Sequence, residues 1–66
     1  MSIAKTIEIT ASSKKSFDDA ISSGIAKAGQ TLKGISGAWI ADQEVEIANG
    51  KVTGYIVRMR VTFVVK

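Results

Sequence analysis

YIVRMRVTFVV, residues 55–65, is the stretch on which the fold turns. Tyr55, Val57, Met59, Val61, Phe63 and Val65 fall on one side of an extended chain. Ile56, Arg58, Arg60, Thr62 and Val64 fall on the other. A period of two in β-branched and aromatic residues marks a strand with one face buried, and the pattern extends back to residue 52. The preceding run AWIADQEVEIA (38–48) also alternates, with Trp39, Ala41, Gln43, Val45 and Ile47 opposite Ile40, Asp42, Glu44 and Glu46. Asn49-Gly50 between the two runs is the usual two-residue hairpin signal. Taken literally, that turn pairs Glu44 with Tyr55 and Asp42 with Val57, setting acids among apolar side chains. A slip of one residue puts Asp42 opposite Arg58 and Val45 opposite Tyr55, which satisfies both faces. The connection is therefore expected to be longer than two residues or to carry a bulge, with Gly54 a candidate.

Toward the N-terminus, IAKTIEIT (3–10) alternates Ile3, Lys5, Ile7 and Ile9 against Ala4, Thr6, Glu8 and Thr10, giving one more half-buried strand. The hydroxyl-rich SSKKS (12–16) then marks a helix entrance, where Ser13 or Ser16 can cap and Ser16 with Asp19 has capping-box-like spacing. Asp18 and Asp19 sit where the helix dipole favours anions. From Phe17 the spacing changes. Phe17, Ala20, Ile21, Gly24, Ile25, Ala28 and Leu32 make one apolar stripe at helical period, over a helix expected at about 14–33. Its small members allow close approach to a sheet, and Gly34 is the expected C-terminal cap. The fold class is therefore α+β: β-α-β-β, a three-stranded antiparallel sheet packed against one helix, in a single domain spanning residues 1–66.

Composition narrows the chemistry. The 66 residues include no cysteine and no histidine, which excludes disulfides, Cys-ligated metals and triads built on Cys or His. Domains this small hide only about 60% of their unfolded surface. Hydrophobic residues nevertheless make up 45% of the chain, and mean hydropathy is +0.18. Self-association is the usual remaining support. Nine Lys and Arg against six Asp and Glu give a net charge of +3, but the cations are scattered. No dense phosphate-binding patch results, so a nucleic-acid site on Arg58, Arg60, Tyr55 and Trp39 is not expected. Without a long apolar run or a signal-like N-terminus, the chain is expected to be soluble and cytoplasmic, with no membrane partner.

One helix covers only one face of three strands. The other face carries Asp42, Glu44 and Glu46, the pair Arg58 and Arg60, and apolar Ile40, Ile56 and Val64, which suits a subunit interface or a solvated face crossed by salt bridges. The three acids share a side and can hold a hard cation such as calcium, or can serve as cross-strand partners of the arginines. Three equivalent strand acids lack the asymmetric environments that hydrolytic pairs need. Gly34 to Gly37 follows the helix rather than opening one, so no phosphate loop is suggested. Trp39 and Tyr55 can stack on a planar ligand or fill a core or interface. A binding or assembly module is expected, not an enzyme.

The chain resembles the dodecins over essentially its whole length. The resemblance rests on IEITASSKKSF (7–17), AISSGIAKAGQTLKGI (20–35), AWIADQEVEI (38–47) and YIVRMRVTF (55–63), taken in that order and spacing. It implies a β-α-β-β subunit, assembly into a hollow spherical homododecamer, and storage or buffering of a flavin: FMN or riboflavin, with FAD also possible. In flavin-binding dodecins a tryptophan at the start of the second strand stacks on the isoalloxazine ring. A glutamine early in the third strand bonds its polar edge, and flavins lie between subunits. Counted from Ser16-Phe17, those positions fall here on Gly37 and Ile56. The pocket implied by the resemblance therefore comprises Trp39, Gly37, Ile56, Tyr55 and Arg58, with neither flavin-contacting side chain in its family position. Two outcomes follow. Trp39, on the same side as Gly37 if the pleat is regular, acts as a displaced stacking platform. Alternatively the cage has lost flavin and binds calcium, through Asp42, Glu44 and Glu46, or another small ligand.

Overall fold

The computed structural model describes residues 3–65, in the order β1 (Ile3–Ser13), α1 (Phe17–Ala28), β2 (Ile35–Ala48) and β3 (Lys51–Val65). The strands form one antiparallel sheet ordered β1-β3-β2, so the alternating C-terminal run is its central strand. This is the expected β-α-β-β fold, with different element ends. β1 continues to Ser13 rather than stopping at residue 10.

The helix is shorter than 14–33 because the hydroxyls at its entrance hold a turn instead. Ser16 is extended, and its Oγ accepts the Asp19 N–H at 2.9 Å. Ser13 Oγ donates to Asp19 Oδ2 at 2.6 Å and accepts the Lys15 N–H at 2.9 Å, which leaves Lys14 and Lys15 outside the helix. At the other end the cap is Gly29, not Gly34. Gln30 and Thr31 bond three residues back, to Lys27 and Ala28, so the last turn tightens and the helix stops. Gly34 instead turns the chain into β2. Its φ is +75°, and it runs so close to β3 that a Cβ would lie 2.9 Å from the Val64 carbonyl oxygen.

Ala20, Val57, Met59 and Val61 are fully buried, and Ile9, Ala11, Phe17, Ile21, Ile25, Ile35 and Ile40 pack around them. The part of the expected stripe from Phe17 to Ile25 thus faces β1 and β3, while Leu32 lies beyond the end of the helix. At Gly24 the approach is tightest, since a Cβ there would lie 2.8 Å from Ala11 Cβ and 3.2 Å from Met59 Cε.

The hairpin reconciles its two conflicting signals. Asn49 (φ 54°) and Gly50 (φ 75°) do form a two-residue turn between the paired Ala48 and Lys51. Thr53 is then an extra residue on β3, lying between the pairs Ile47–Val52 and Glu46–Gly54, and its hydroxyl donates to the Glu46 carbonyl at 3.3 Å. That bulge restores the register in which Asp42 faces Arg58 and Val45 faces Tyr55.

Two more irregularities lie in β2, at Ser36 and Ala41, and the second corrects the sequence reading. Regular alternation sets Trp39 on the side of Gln43 and Val45. The bulge at Ala41 reverses the faces. Ile40 now lies opposite Met59 and packs on the core, while Trp39 lies opposite Arg60 on the face away from the helix. The gain is burial of an isoleucine that would otherwise head a row of acids.

The molecule is long and thin, 52 × 19 × 13 Å, with a radius of gyration of 13.6 Å, against about 11 Å for a compact chain of this length. It exposes 4853 Å², where a monomer of its mass exposes about 4000 Å². Among the described residues no helix is long and apolar enough to cross a membrane.

Filling the closest helix–sheet contact tests this packing. Gly24→Val should lower stability by about 1–3 kcal/mol, read as a fall in the urea midpoint. Adding Ala11→Gly to that variant should recover part of the loss, because it removes the atom that the new side chain meets. An unchanged midpoint in Gly24→Val contradicts the contact.

Candidate functional site

The face of the sheet opposite the helix carries the candidate residues. β3 supplies Ile56, Arg58, Arg60 and Thr62 along its centre. β2, after its bulges, sets Glu44 beside Ile56, Asp42 beside Arg58, Trp39 beside Arg60 and Gly37 beside Thr62. β1 flanks the same row with Ser12, Thr10, Glu8 and Thr6.

Two ionic groups divide this face. Arg58 holds both neighbouring acids, with Nη1 3.0 Å from Asp42 Oδ1 and Nη2 3.0 Å from Glu44 Oε1. The hydrogen bond to Asp42, then that to Glu44, raises the Arg58 pKa above its already high value, so the guanidinium stays charged at every accessible pH. Arg60 is held more loosely. Its Nε lies 3.8 Å from Glu8 Oε2, and its guanidinium carbon sits over the Trp39 ring, 5.3 Å from the centroid. Trp39 itself is 66% exposed. It offers a large aromatic surface to a ligand or a neighbouring subunit.

The expected pocket residues are only partly together. Trp39, Gly37, Ile56 and Arg58 share the open face. Tyr55 does not; it packs edge-on against Phe17, with ring centroids 5.1 Å apart. Gly37 lies opposite Thr62, which is six residues from Ile56 along β3, a separation of roughly 20 Å at strand rise. One chain therefore presents parts of a site rather than an enclosed pocket. Nothing lies within 4 Å of a Cβ built on Gly37, so the space beside Trp39 is open. For a flavin the fit is half complete: Trp39 offers a stacking surface, while Ile56 has no side-chain group to meet the ring's polar edge.

For a cation the single chain is less suited. Asp42 and Glu44 both point at Arg58, and the Glu46 carboxylate lies over Gly54. No three metal-ligating side chains converge among the described residues. A cleft of 510 Å³ lies elsewhere, between α1 and β1, lined by Ile9, Ala11, Gly24, Lys27 and Ala28 among others. None of the candidate residues lines it.

The pairing of Arg60 with Trp39 is the part that sequence reasoning missed, because it depends on the Ala41 bulge. The one available signal was Ile40, an apolar residue at the head of an otherwise acidic row.

The family model described as Dodecin matches residues 3–66. No curated protein sequence matches the chain. Among solved structures, a dodecin from Streptomyces davaonensis is 25% identical, with a TM-score of 0.93 over 98% of this chain and 96% of that one. An arginine-to-alanine mutant of the T. thermophilus dodecin is 23% identical, with a TM-score of 0.94 over 100% and 98% of the two chains. A dodecin from Streptomyces coelicolor is 20% identical, with a TM-score of 0.94 over 98% and 93%.

If Arg58 competes with cations for Asp42 and Glu44, removing it frees two carboxylates. Millimolar calcium should therefore raise the melting temperature of Arg58→Gln more than that of the unaltered chain, measured by differential scanning calorimetry. Equal shifts in the two proteins contradict the competition.

Proposed function

The chain belongs to the dodecin family, and from that premise we propose that it is a cytoplasmic, non-catalytic flavin-binding protein that stores or buffers FMN or riboflavin in a hollow homododecamer. The observation that carries the reading is Trp39. It is the only tryptophan in the sequence, is 66% exposed, and stands on the face that the helix leaves uncovered. It is two residues from Gly37 and on the same face, beside open space.

Assembly is supported by the surface. Ile3, Ile47 and Val52 are exposed along with Trp39. Neighbouring subunits would cover them and would bring the separated parts of the site together. Within such a site, Trp39 stacks on the planar ring and holds it away from water, and stacking on an aromatic is typically worth about 1–3 kcal/mol. Ile56 supplies apolar contact but no hydrogen bond, at a loss of about 0.5–1.5 kcal/mol relative to a polar side chain. Binding is accordingly weaker than where both side chains occupy their family positions. Flavin held against an indole loses its excited state quickly, which protects the ligand and its surroundings from photochemistry.

Titrating flavin with the protein, and following flavin fluorescence, tests this directly. The unaltered chain should quench it and Trp39→Ala should abolish most of the quenching. The double change Gly37→Trp with Ile56→Gln should tighten binding by roughly ten- to a thousandfold, at about 1.4 kcal/mol per tenfold. Flavin that stays fully fluorescent at high protein concentration overturns the reading. Quenching indifferent to Trp39→Ala overturns the assignment of the platform.

A further inference from the structure

We propose that Arg60 makes the Trp39 platform selective for a planar ligand that carries a phosphate, so that FMN is preferred over riboflavin; the inference rests on the flavin reading above. The two arginines of the open face differ. Arg58 is held by two carboxylates at 3.0 Å each, and its charge is satisfied within the chain. Arg60 has one carboxylate at 3.8 Å, and otherwise lies against the indole of Trp39. Its half-exposed side chain keeps hydrogen-bond donors free for an anion.

The surroundings also give the phosphate a direction. On the Arg58 side of Trp39 lie Asp42 and Glu44, which repel it. On the opposite side the face is uncharged and hydroxylated. Thr62 follows Arg60 by two positions on the same face, about 7 Å along the strand. Its Oγ1 lies 3.5 Å from that of Thr6, and Ser36 Oγ donates to the Thr62 carbonyl at 3.5 Å. Gly37, opposite Thr62, leaves open space above them. A ring stacked on Trp39 thus carries its phosphate toward Gly37, between the Arg60 guanidinium and the threonine hydroxyls. A phosphate brings about −1.5 to −2 charges at neutral pH, so the preference is electrostatic and weakens with salt.

FMN and riboflavin share one ring system and differ by the phosphate alone, so their affinity ratio isolates the contact. Fluorescence titration of both at low salt should show FMN binding about three- to tenfold tighter, a modest ratio because the guanidinium is half exposed. The ratio should shrink toward one in high salt and in Arg60→Gln. It should survive in Arg60→Lys, which keeps the charge. Equal affinities in the unaltered chain, or a ratio that Arg60→Gln leaves intact, overturn the role of Arg60 while leaving flavin binding in place. Failure to bind either compound overturns the flavin reading, and this inference with it. The salt series on the unaltered chain needs no substitution, so a salt-independent ratio there overturns the electrostatic preference even if a variant fails to assemble.

Discussion

A helix of 12 residues is about 18 Å long, and the two longer strands beside it, at 14 and 15 residues, reach nearly 50 Å. That mismatch is the constraint from which the rest of the structure follows. Helix α1 shields the middle of β3 and the adjoining part of β1, and only Ala20, Val57, Met59 and Val61 are fully enclosed. The β2–β3 hairpin runs past the helix, and the opposite face of the sheet has no cover from within the chain. With 45% hydrophobic residues the chain fully encloses only a small core, which favours the assembly proposed above.

Much of this was legible in the residues. The alternation of Val57, Met59 and Val61 against Arg58 and Arg60 identified the inner face of the central strand, and these three valine and methionine side chains are indeed buried. Demanding that acids meet arginines selected the register that pairs Asp42 with Arg58, against the literal reading of Asn49-Gly50. Both signals proved real, since a bulge at Thr53 absorbs the difference. The limits are equally physical. Propensity extends a helix through Lys14 and Lys15, but hydroxyl–backbone bonds from Ser13 and Ser16 compete locally and win. A bulge such as that at Ala41 has no composition signature of its own. It arises because Ile40 and Asp42 cannot both be well placed on one face, and only the pairing with β3 shows where the chain yields.

The site follows from that bulge. With regular alternation Trp39 would lie on the helix side; with the bulge it stands beside Arg60 in the open. Solved structures with TM-scores of 0.93–0.94 share only 20–25% of their residues with this chain, so the same backbone holds through wide changes of sequence. Under the proposed flavin reading, Gly37 leaves one end of the face without a side chain, Trp39 supplies an aromatic two residues on, and Ile56 offers apolar contact in place of a polar one. On that reading recognition would rest on stacking and charge, with the Arg60 guanidinium 5.3 Å from the centroid of the Trp39 ring.

The proposed cage requires the uncovered face to be closed by neighbouring chains. Sedimentation of the protein across a concentration series measures this most directly. The account predicts a particle near twelve times the 7.0 kDa chain, persisting from high to low micromolar concentration. A folded species sedimenting at the mass of one chain over that range would contradict it.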